Sequence, residues 1–231
     1  MATAEFTSAQ LTTLVRPGEF EAHKHWYPKA LHATIHTSVA FFFNLDQERI
    51  VNRYCHLHPK VKRQYLLDLL SYNCRHFLWA GADLLNVTSA GGKRQMVIIE
   101  NNSCPSGQKS MPLLEDHQEQ GSYRRLVERT FAPFLQRKRL PVQGGLAVLY
   151  DKNFMEVSGY AAVIADVFQE PVYFVPCFQD DSNLPMRFVD GVLEVRDAEG
   201  AWVPIRAAFR YVTQRPWNRI PLHTKTRILN P

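Results

Sequence analysis

Apolar and polar positions alternate with little order over roughly the first 55 residues and with strong order afterwards. Pro28 to Phe43 reads as a helix, with His32 and His36 one turn apart. Beyond Pro59, a residue type common at the first helical position, Val61, Tyr65, Leu66, Leu69, Leu70, Phe77 and Leu78 recur at helical spacing and predict a second helix. Gly81 to Val87 reads as a strand, Gly91-Gly92-Lys93 as a turn, and Met96-Val97-Ile98-Ile99-Glu100 as a short buried strand rich in β-branched residues. A loop rich in Ser, Pro and Gly follows, from Asn101 to Pro112.

The clearest helix comes next. Tyr123, Leu126, Val127, Thr130, Phe131, Phe134 and Leu135 form one face, while Arg124, Arg125, Glu128 and Arg129 lie opposite. Gly145–Tyr150 reads as a buried strand, Phe154–Phe168 as a helix and Val172–Pro176 as another strand. Strand, helix and strand at this spacing make a parallel βαβ unit. Met186 to Glu194 folds back at Asp190-Gly191, a hairpin signal, and Val203–Val212 is a final strand. The predicted fold is therefore α/β: a three-layer parallel-sheet domain over residues 81–231 with an attached β-hairpin, preceded by a mainly helical region over 1–80.

Composition narrows the class. Hydrophobic residues make up 45% and charged residues 21% of 231, and 14 Phe, nine Tyr and four Trp can fill a sizeable core. The start of the chain has no basic segment leading into an apolar run, and no apolar stretch approaches the roughly 20 residues of a membrane span, so a cytoplasmic protein is expected. Cys55, Cys74, Cys104 and Cys177 are scattered without a Cys-x-x-Cys pair, which argues against a disulfide framework or a structural zinc. The net charge of +5 suits an anionic ligand. Its basic residues are dispersed, with no aromatic-flanked motif for nucleic acid.

Chemistry concentrates after the Met96–Glu100 strand. Residues two apart in a strand project to one side, so Glu100 and Asn102 point together. A carboxylate beside a carboxamide oxygen is a pair of hard ligands suited to Mg²⁺; the same pair also fits a plain loop cap. In the last strand Arg206, Ala208 and Arg210 share a face, and arginines so placed suit a carboxylate or phosphate, or the ion pairs of a solvated edge. Three other patterns are weaker. Ser106-Gly107-Gln108-Lys109 matches S-x-x-K without its companion motifs. Cys104 is a nucleophile only with a distant His, and His32 with His36 lacks further ligands at metal spacing.

The E-x-N triplet Glu100-Asn101-Asn102, followed by Ser103 and Pro105-Ser106-Gly107, resembles the magnesium motif of the circularly permuted ATP-grasp enzymes. That group includes glutathionylspermidine synthase and eukaryotic glutathione synthetase. Tyr150 to Tyr160, the Gly191-Val192-Leu193 hairpin, Ile205 to Tyr211 and Pro216-Trp217 follow in the family's order, so the resemblance covers about residues 80 to 231. It implies a pre-ATP-grasp-like domain of a carboxylate–amine ligase. There ATP phosphorylates a carboxylate to an acyl phosphate, an amine attacks, and an amide forms with release of phosphate. Glu100 and Asn102 would hold Mg²⁺, Ser103, Ser106 and Arg206 would line the substrate site, and Arg210 would orient an anion. The family's nucleotide-binding half, which follows the Pro-Trp strand, has no counterpart before Pro231. Turnover is therefore expected only with a further half or a partner chain; the other expectation is a non-catalytic binder of a peptide-like or anionic ligand.

Overall fold

The computed structural model describes residues 12–229 apart from 36, 38–39, 42–43, 73, 75–77, 103–106, 112, 114–117, 137–139, 179–181 and 213–215. Its framework is the βαβ unit. Strands β4 (Gly145–Tyr150) and β5 (Val172–Pro176) lie parallel, in register from Leu146↔Val172 to Tyr150↔Pro176. Between them runs α7 (Phe154–Phe168), apolar on nearly every side and buried from Val157 through Ala165 except at Ser158. A helix apolar all round belongs inside a domain. Strand β8 (Trp202–Tyr211) flanks the other edge of β4, also parallel.

The rest of the sheet is antiparallel or appended. β6 (Met186–Val189) and β7 (Val192–Arg196) form a hairpin, and β7 pairs antiparallel with β8 as far as Ile205. The turn residues Asp190 and Gly191 both have positive φ, 49° and 79°, the combination a two-residue primed turn requires. β9 (Arg227–Leu229) continues along β8 at Ala207–Phe209, and β1 (Thr13–Val15) pairs antiparallel with β5. The order β1-β5-β4-β8-β7-β6 is thus a mixed sheet with a parallel centre. The chain is α/β, as predicted.

One face of the sheet carries the helices. α5 (Gly121–Leu126) passes through a π-helical turn (Val127–Phe131) into α6 (Ala132–Gln136), burying Tyr123, Val127, Phe131 and Leu135. Aromatic rings fill this layer: Tyr160 lies 4.9 Å from Phe209 and 5.0 Å from Tyr123 between centroids. The short helices α1 (Ala22–His25) and α2 (Pro28–Leu31) join it, with Trp26 fully buried and its indole N–H donating to the Glu119 carbonyl at 2.9 Å. On the other face Leu149, Val175, Cys177, Leu193, Ile205 and Ala208 cluster, with Leu184 and Ile220 packed against them.

Three expectations change. The helix over 28–43 is interrupted: α2 ends at Leu31, residues 33–35 are not helical, Thr37, Ala40 and Phe41 are helical again, and His36 lies outside the described residues. A helix that was not foreseen, α3 (Gln47–Leu57), ends before Pro59; the helix expected beyond Pro59 is α4 (Arg63–Leu70) and stops short of Leu78, while Phe77 lies outside the described residues. Asp46 caps α3 by accepting the Arg49 N–H at 2.7 Å, a start signal placed well before the proline. Most consequentially, β2 (Gly81–Thr88) and β3 (Arg94–Asn102) stay out of the main sheet. They pair only with each other as an antiparallel ribbon, and Ile98 and Ile99 are 62% and 57% exposed. The expected buried strand is an exposed one.

Candidate functional site

Ligands of open α/β sheets bind beyond the carboxyl ends of the parallel strands. Here those ends are Tyr150, Pro176 and Tyr211. Arg210 pairs in register with Leu149, which itself pairs with Val175. Ala208 and Val212, its neighbours two residues away, belong to the second core cluster, whereas Phe209 and Tyr211 belong to the helix-covered one. Alternation therefore turns Arg210 onto the face away from the helices, where only 6% of it is exposed. Asp151 and Cys177, just beyond β4 and β5, follow on that face by the same alternation. Burial pushes the Cys177 thiol up to about 12, with Arg219 pulling it down and Asp151 raising it further, so it is protonated at neutral pH and no nucleophile. Arg219 and Asp151 thus act on the thiol through their charges. Sequence reading missed both, because Arg219 lies outside any regular strand and Asp151 reads as a turn residue.

Arg206 does a different job. Gly145 pairs with Ile205 but Leu146 with Ala207, so Arg206 is the extra residue of a β-bulge. The bulge breaks the alternation that was expected to align it with Arg210. Its guanidinium donates to the Gly144 carbonyl at 2.6 Å and to the Glu170 carboxylate. It thereby ties the entrance of β4 to the segment after α7, at the opposite end of the strands from Tyr150.

Glu100 and Asn102 do share a face near the end of β3, and the Asn102 amide donates to Glu100 Oε1 at 3.1 Å. Glu100 is exposed and Asn102 half-buried. Asp83 lies directly across from Glu100 in the ladder. Two carboxylates opposed on one face repel unless a cation separates them. Regular pairing of the two strands across the Gly91-Gly92 turn would set Asp83 opposite Ile99; the register shift between Asp83 and Leu84 sets it opposite Glu100 instead. Among the described residues no group of three or more His, Cys, Asp or Glu side chains surrounds a common point. Ser103, Cys104 and Ser106 lie outside the described residues.

A second polar centre escaped the sequence entirely. Glu156, on the first turn of α7, is fully buried. It accepts the Gly107 N–H on both oxygens at 3.0 and 3.2 Å, pairs with Lys109 Nζ at 3.3 Å, and accepts the Tyr211 hydroxyl at 3.4 Å. Asn153, left-handed at φ 54°, precedes the helix and donates to the same Tyr211 hydroxyl at 3.1 Å. A carboxylate taken from water needs such partners. Lys109, the lysine of the S-x-x-K match, is thereby committed to an ion pair. Of the histidines, His25 is buried with Nδ1 3.2 Å from the Met155 carbonyl and from Ser158 Oγ, while His32, His56 and His58 are exposed.

No helix among the described residues is long and apolar enough to cross a membrane. No protein-family model matches the chain, and neither a curated protein nor a solved structure matches it.

Proposed function

We propose that this chain is the substrate-binding part of a cytoplasmic ATP-dependent carboxylate–amine ligase of the circularly permuted ATP-grasp kind, holding a peptide-like carboxylate at the carboxyl edge of β4, β5 and β8. The observation that carries this reading is Arg210, a guanidinium buried at the carboxyl end of a parallel strand and turned away from the helices. Planar, always charged and rigid in its fork, arginine suits a carboxylate there. In this reading the βαβ unit with its β6–β7 hairpin is a three-layer, pre-ATP-grasp-like domain. Ser103 and Ser106 would contribute to the substrate site, and Arg206 would brace the scaffold rather than touch substrate.

The donor set on the hairpin fits Mg²⁺ chemically. Asp83, Glu100 and the carboxamide of Asn102 are hard oxygen ligands on one face of the ribbon. Mg²⁺ bound with ATP would supply charge neutralisation of the transferring phosphoryl group. A further chain segment or a partner would complete the nucleotide site, and no nucleic acid is required.

The test is isothermal titration of the purified chain with glutathione and, separately, with Mg-ATP. Glutathione should bind, and Arg210→Lys should weaken it about tenfold or more while the melting temperature holds, because an ammonium cannot replace a bidentate fork. Heat with Mg-ATP that disappears in Glu100→Ala and Asn102→Ala would show that the hairpin alone captures nucleotide. No heat with either ligand would sink the reading. A second reading, a non-catalytic binder of an anionic ligand, is favoured by the open setting of Glu100; glutathione binding with no response to Mg-ATP would select it.

A further inference from the structure

The hairpin β2–β3 stands on two feet. Ahead of β2, Trp79 is 8% exposed and its ring lies 5.6 Å from Tyr160, 5.2 Å from Phe209 and 6.2 Å from Tyr211. Behind β3, Gly107 and Lys109 are fastened to Glu156 by two N–H bonds and an ion pair. Glu156 in turn accepts the hydroxyl of Tyr211. Both feet therefore converge on Tyr211, the residue next to Arg210 in β8. Between the feet, β2 and β3 make their extensive contacts with each other.

We propose that Glu156 is the positioning residue of this protein: it sets where Glu100 and Asn102 stand relative to Arg210. The functional meaning rests on the reading above, since it takes the hairpin and Arg210 to serve one ligand. The two feet differ in kind. Ring packing against Trp79 is attractive over a range of orientations. The bonds to Glu156 are directional and fall steeply outside a narrow range of distance and angle. A carboxylate removed from water holds its partners because leaving any of them unpaired is costly. The Trp79 foot holds the chain just ahead of β2, and the Glu156 foot holds it again at Gly107, beyond the end of β3.

The test is a distance measurement by pulsed electron paramagnetic resonance. Spin labels go on Gly91→Cys at the hairpin turn and Glu199→Cys in the exposed β7–β8 turn, with Cys55, Cys74 and Cys104 replaced by serine; Cys177 is buried and does not label. The wild-type background should give one narrow distribution. Lys109→Met, which strands the buried carboxylate, should widen it about twofold, and Lys109→Arg should restore it. An unchanged width in Lys109→Met overturns the proposal. Should Lys109→Met not fold, hydrogen exchange on the unaltered protein decides. The Gly107 amide should be protected about as strongly as the first turn of α7, and exchange at the rate of a free peptide overturns the proposal. These distances are read without ligand, so a chain that binds neither glutathione nor Mg-ATP fails the functional reading while the mount is still judged.

Discussion

Two apolar runs in this chain look alike and meet opposite fates. Leu146-Ala147-Val148-Leu149 in β4 is wholly buried, whereas Val97, Ile98 and Ile99 in β3 are 40%, 62% and 57% exposed. Both are strands, so the local preference is the same. The difference lies in the neighbours. β4 has a parallel strand on each edge and α7 over one face. β3 has a single antiparallel partner. A two-stranded ribbon is marginal by itself, and its open edges invite pairing with other chains. Burial is thus set by connectivity: a helical crossover of suitable length brings β5 back beside β4, while a tight Gly-Gly turn returns β2 and β3 only to each other.

The comparison can be broken at several points. The largest effect is expected from Phe209→Ala in the aromatic layer, which should cost about 3–5 kcal/mol in urea unfolding. A loss below about 1 kcal/mol would mean that the layer is not close-packed. Gly159→Ala should come next. A Cβ there would sit 3.0 Å from the Tyr123 ring and 3.2 Å from His25, so about 1–3 kcal/mol of overpacking should outweigh alanine's helix preference of about 1 kcal/mol. A stabilised variant would show that the α5–α7 contact has slack.

His25 supplies a pH test of the same junction. Burial holds its pKa below the ordinary 6.5, against a smaller opposing effect of the Met155 carbonyl. The unfolded chain then binds the proton more readily than the folded one. Stability is full above the unfolded value and declines as the pH falls from about 6.5 toward the folded value. Melting temperature followed from about pH 7.5 to 5.5 should fall, and the fall should shrink in His25→Gln; an identical fall in that variant removes His25 as the cause. The smallest effect belongs to the ribbon. Ile98→Thr should change stability by no more than about 0.5 kcal/mol, and a loss of 2 kcal/mol or so would mean that this face is covered in solution.

Legibility along the chain follows how local each determinant is. The bounds of α7, β4 and β5 could be read directly, because continuous apolar runs between polar turns have few other solutions. The primed turn was legible in Asp190-Gly191 for the same reason. β1 and β9, three residues each, carry too little pattern to signal a strand; only their partners make them one. Arg206 was misplaced because a bulge is invisible to a rule of strict alternation. Glu156 was hidden because its charge partner lies 47 residues away and an acid on a helix reads as solvated. Of the candidate site, the strand carrying Arg210 was foreseen, and so was the shared face of Glu100 and Asn102. The opposing Asp83 and the charges of Asp151 and Arg219 required three dimensions.

Strand β1 has a consequence for how the protein is made. Its register, Thr13 with Phe174, spans about 160 residues of chain. At a synthesis rate of roughly 5–20 residues per second, the ribosome delivers β5 some ten to thirty seconds after β1. Throughout that interval the N-terminal segment has no strand to pair with. The outer edge of β5 is therefore covered by a segment synthesised well before it, and a factor that holds this segment early would delay closure of that edge without touching the βαβ unit itself.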